Sequence, residues 1–124
     1  MNTNQKQNRI VEIGGADFEA QVLASRKLVI VAFSSPWSRP CHVLESVLDE
    51  IAATYESRLK VLKVNADDHP DLSLLYNIQS VPTLLFFVDG NLSAKTVGTV
   101  SKEAILAKLA GGSVGGDSEP LSST

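Results

Sequence analysis

Trp37-Ser38-Arg39-Pro40-Cys41 packs an indole, a hydroxyl, a guanidinium and a thiol into five residues, immediately after the apolar run Leu28 to Phe33. A thiol does nucleophilic chemistry as its thiolate, which a helix N-terminus and a neighbouring cation favour and apolar burial opposes. Cys41 is the chain's one cysteine, so it cannot form a bridge within the chain, and neither a disulfide framework nor a multi-cysteine zinc site is open to it. It reads first as a small core residue, with a mixed disulfide or glutathionylation as the reactive alternative. Ser38 has the residue type of a helix N-cap, worth about 1 kcal/mol, and Pro40 is tolerated in a first turn. His42 follows Ser38 by four residues and shares its helix face, which allows a Ser-His hydrolytic pair. No orienting acid or oxyanion site accompanies them, so an ordinary surface histidine is the favoured reading. His69 beside Asp67 and Asp68 reads as a helix-start loop and makes a poor metal site, and no cofactor is expected.

These residues need elements to hold them. Arg9 to Ile13 reads as a short strand, and after Gly14-Gly15 a helix capped by Asp17 carries Phe18, Val22 and Leu23 on its apolar face. Lys27 to Ser34 is a second strand, apolar at every core position, as a central strand covered on both faces would be. A helix from Ser38 to Glu56 places Val43, Leu44, Val47, Leu48, Ile51, Ala52 and Tyr55 on one face, with Glu45, Asp49, Glu50 and Thr54 toward water. There follow strand Leu59 to Asn65, helix Pro70 to Tyr76, strand Thr83 to Val88, the turn Asp89-Gly90, strand Ser93 to Val97, and a helix Lys102 to Ala110 capped by Ser101. The order βαβαβαββα requires parallel crossovers first and an antiparallel hairpin last, hence a mixed five-stranded sheet with helices on both faces.

Composition limits the alternatives. The 124 residues suit one domain, with residues 9–110 as its folded part and the polar 1–8 and Gly/Ser-rich 111–124 as flexible tails. Eleven Lys and Arg against 14 Asp and Glu give a net charge of −3, which offers nucleic acid no electrostatic support. The apolar runs are far short of the roughly 20 residues needed to cross a bilayer, and the first eight residues lack the apolar stretch of a secretory signal. The expectation is a cytoplasmic monomer.

Trp37 to Cys41 after an apolar strand, Lys63-Val64-Asn65 on the next strand, Val81-Pro82-Thr83 before the hairpin and Gly98 after it together resemble the thioredoxin family over residues 9–110. The resemblance implies the thioredoxin fold and thiol–disulfide exchange, in which a first cysteine attacks a substrate disulfide and a second resolves the mixed disulfide. The family's segment is Trp-Cys-Gly-Pro-Cys. Here the attacking position is Ser38, the resolving position is Cys41, and Arg39 replaces the glycine. The family's buried aspartate corresponds to Ala32, which leaves Lys63 without that partner, and its ammonium should then reach water or a different carboxylate. The resemblance also implies a cis peptide bond at Val81-Pro82 and a peptide-binding groove formed by Trp37, Arg39, Pro40, Val81, Pro82 and Gly98. The implied function is a thioredoxin-like protein of cell redox homeostasis whose dithiol activity is lost or strongly reduced, keeping a groove for a protein or peptide partner. The alternative is a single-thiol redox protein working through Cys41.

Overall fold

The computed structural model describes residues 10–113; the chain before and after them, including the expected tail 1–8, lies outside the described residues. A five-stranded mixed sheet forms the middle layer. Its strands are β1 (Val11–Glu12), β2 (Leu28–Ser34), β3 (Leu59–Asn65), β4 (Thr83–Val88) and β5 (Asn91–Val97), in the spatial order β1-β3-β2-β4-β5. β1 and β2 run parallel to β3, while β4 is antiparallel to both β2 and β5. β2 is the central strand, as its uninterrupted apolar sequence predicts. Alternate residues serve different layers: Val29, Val31 and Phe33 pack in one core with Phe18 and Leu72, and Ile30 and Ala32 in another with Leu44, Leu48 and Ile105.

Three helices behave much as their sequences require. α2 (Arg39–Thr54) follows Ser38 at its N-cap, α3 is Pro70–Leu75, and α4 (Lys102–Ser113) begins at a Ser101 side chain that accepts the Ala104 N–H at 3.0 Å. α4 runs three residues beyond the expected Ala110. α1 differs. It starts as Gly15–Phe18 with Gly14 at the N-cap, so Asp17 lies within the first turn and is not the cap. It then widens into a π-helical turn, Glu19–Leu23, closed by the Ala24 N–H on the Glu19 carbonyl at 2.9 Å. That widening turns Leu23 outward, against the expectation that it shares the buried face with Phe18 and Val22.

On α2, Val43 is also exposed, because the face that meets the sheet centres on Cys41, Leu44, Leu48 and Ile51. Glu45 is half-buried, its side chain about a quarter exposed, and it is not on the fully solvated face. β1 is shorter than the expected strand, and β5 starts at Asn91, two residues before Ser93, because the hairpin turn is only Asp89-Gly90. Both turn residues have positive φ, 52° and 79°, the tight geometry that an Asp-Gly pair accommodates. Gly90 also lies so close to the Leu23 carbonyl oxygen that a Cβ would collide with it. No helix among the described residues is long and apolar enough to cross a membrane.

Candidate functional site

The strand directions bring four chain segments to one end of the sheet. Ser34 closes β2 opposite Asn65 of β3, Phe33 pairs with Thr83 at the start of β4, and Thr83 pairs with Val97 at the end of β5. Residues 35–38 and the start of α2, the Val81–Pro82 peptide and Gly98 therefore lie at the same end of the sheet, the usual ligand position at strand ends in an α/β sheet.

The helix side is built around a cap. Ser38 adopts an extended backbone, φ −91° and ψ 114°, and its Oγ accepts the Cys41 N–H at 3.3 Å. The Ser38 carbonyl accepts from the Cys41 and His42 amides as well, at 3.1 and 3.2 Å. Ser38 Oγ is thus engaged in ordering the first turn, and among the described residues no hydrogen bond joins it to the exposed His42. Cys41 is a free thiol with 1 % of its surface exposed. Arg39 and Pro40 occupy the solvent side of the first turn, and Trp37 is 77 % exposed. A Ser35 hydroxyl donating to Asp67 at 3.0 Å ties the preceding loop to the β3–α3 connection.

The strand side is backbone. The Val81–Pro82 peptide bond is cis, Val81 is half-buried, Pro82 is buried, and the Thr83 hydroxyl donates to the Ser80 carbonyl at 2.8 Å. Gly98 has φ +87°, and its N–H donates to the Pro82 carbonyl at 2.8 Å. That bond fixes the two segments against each other. The left-handed φ is the reason a glycine stands at 98, since open space surrounds the position and a Cβ would meet nothing there.

Beneath α2, Ala32 is 2 % exposed and lies in register between Lys63 on β3 and Leu84 on β4. Lys63 Nζ reaches Glu45 Oε1 on α2 at 3.3 Å, with both side chains about a quarter exposed. This is the different carboxylate that the sequence requires once Ala32 offers none. Sequence reasoning placed Glu45 in water and so missed the pair. The available signal is its spacing: Glu45 is four residues after Cys41 and one after Leu44, on the sheet-facing side of α2. Glu45 and Lys63 border a small polar cleft of about 230 Å³ with Glu12, Ser34, Ser35 and His42.

A thioredoxin family model matches residues 9–111 of this chain. The chain belongs to the thioredoxin family. Relatives include thioredoxins of Pseudomonas aeruginosa, 40 % identical over 81 % of this chain and 93 % of theirs, and of Griffithsia pacifica, 39 % identical over 81 % and 92 %. Thioredoxin 1 of Synechococcus elongatus is 42 % identical over 76 % of this chain and 88 % of its own. The matched residues include Ser38, Cys41, Val81-Pro82 and Gly98 of this thioredoxin-family chain.

Proposed function

We propose that this chain is a thioredoxin-like protein that binds extended peptide segments in its crevice and has lost, or nearly lost, dithiol–disulfide turnover. Family membership ties it to thioredoxin-like redox function. The observation that carries the narrower reading is that Ser38 Oγ serves as the α2 cap while Cys41, the chain's one thiol, is buried beneath it. Reducing a substrate disulfide takes two electrons, delivered when two thiols of the protein close into a disulfide. An oxygen at 38 cannot join that bond, and a hydroxyl is a poor nucleophile toward sulfur. The groove reading is supported by the opposite rim, where the Gly98–Pro82 hydrogen bond holds backbone groups at the crevice edge, suited to pairing with an extended strand.

The test is insulin reduction with dithiothreitol, run beside the Pseudomonas aeruginosa thioredoxin. The reading expects a rate at least about 100-fold lower, in line with the loss of a covalent nucleophile. An equal rate would remove it. A single-thiol role for Cys41 is separated by intact mass after treatment with oxidised glutathione. At 1 % exposure, the thiol should gain glutathione only after denaturation, whereas an adduct on the native protein would support that rival.

A further inference from the structure

The outer surface of α2 carries a second depression, about 490 Å³, bordered by Trp37, Arg39, His42, Val43 and Ser46. Arg39, His42, Val43 and Ser46 follow the i, i+3, i+4, i+7 rule, so they form one stripe of the helix, turned away from the sheet-facing Cys41 and Leu44. Two large apolar side chains on this surface face water, Trp37 at 77 % and Val43 at 55 %. Between them lie a guanidinium and an imidazole, neither of which has an ion-pair or side-chain hydrogen-bond partner among the described residues. The first turn of α2 contains no acid to offset Arg39. Among the acids of the following turns, Glu45 is paired with Lys63 and Glu50 with Lys102, and Asp49 is also engaged. On a chain of net charge −3, the Arg39 guanidinium makes this a locally positive spot with apolar flanks.

We propose that this surface docks a partner peptide in which a bulky apolar side chain adjoins an Asp or Glu. The apolar group covers Trp37 and Val43, and the carboxylate takes the two-pronged hydrogen bonding of the Arg39 guanidinium. Charge complementarity decides the occupant: a basic segment meets an uncompensated cation, while an acidic one is drawn here and repelled by the rest of the negative surface. The inference rests on the groove reading, because Trp37 and Arg39 border both surfaces, and it adds the partner's chemistry.

The experiment follows the Trp37 indole N–H by NMR during titration with three capped peptides of equal length, each with a central leucine flanked by aspartate, serine or lysine. The proposal expects the aspartate peptide to bind about tenfold more tightly than the lysine peptide at low salt. The difference should shrink near 1 M salt, where screening acts over about 3 Å. Arg39→Glu should reverse the order, and Val43→Ser should weaken the aspartate peptide. Equal affinity for all three peptides overturns this proposal and leaves the groove reading standing. Failure of all three to bind overturns both. An acidic preference that survives Arg39→Glu in a variant of unchanged melting temperature also overturns the proposal, as does displacement of the aspartate peptide by a single-stranded oligonucleotide.

Discussion

The helix side and the strand side of this end of the sheet are made of different materials. On the strand side, Val81, Pro82, Thr83 and Gly98 shape the edge through backbone geometry, with the Gly98 N–H on the Pro82 carbonyl at 2.8 Å as the tie. On the helix side, function would have to come from particular side-chain atoms, and there a hydroxyl caps the helix, a methyl stands beneath it, and the chain's one thiol is sealed in. Backbone shape survives substitution of most neighbouring side chains. Two-thiol disulfide exchange does not survive replacement of one sulfur by oxygen. On the proposed function, exchange chemistry is shed on one side while a recognition edge is kept on the other.

The sharpest way to probe this contrast is to put an acid back under the helix. Ala32→Asp should lower stability at neutral pH by about 3 kcal/mol, since Ala32 is 2 % exposed and Lys63 is already paired with Glu45. Desolvation would raise that carboxyl's pKa in the folded state above its unfolded value of about 3.9. The ionisation part of the loss should then be absent below that pH and grow as pH rises toward the folded-state pKa, which urea unfolding at several pH values would show. Gly98→Ala should cost about 1–2 kcal/mol from the left-handed backbone alone, and should weaken peptide binding by moving the strand-side rim. Retained peptide affinity in a folded Gly98→Ala protein would break the assignment of recognition to that rim. Ser38→Ala should cost about 1 kcal/mol in thermal unfolding, the value of a lost cap, and, on the proposed function, leave disulfide turnover unchanged. Glu45→Gln should cost less than about 1 kcal/mol, because the pair is partly hydrated and the amide still accepts from Lys63.

Much of this architecture was legible in the chain itself. The unbroken apolar run of β2 marks a strand covered on both faces, Asp89-Gly90 marks a two-residue hairpin, and Ser38 and Ser101 mark helix starts. The misreadings have local causes. The π-helical turn in α1 shifts the helical phase, so a 3.6-residue period put Leu23 on the wrong face. Val43 fits an apolar face by type, but the position of α2 on the sheet decides exposure, and that depends on contacts distant in sequence. Glu45 was assigned to water because a charged residue on a helix usually goes there. Its partner, 18 residues away on β3, comes into reach only when the sheet assembles.

The central claim concerns the atom at position 38, and it is met most directly by measuring insulin reduction for the wild-type chain and Ser38→Cys side by side, with NADPH and a thioredoxin reductase as the electron source. The account predicts background turnover for the wild type and clear turnover for Ser38→Cys, below that of the Pseudomonas aeruginosa relative while Ala32 remains. Equal turnover by the two proteins would contradict it, because the cycle would then run without a second sulfur.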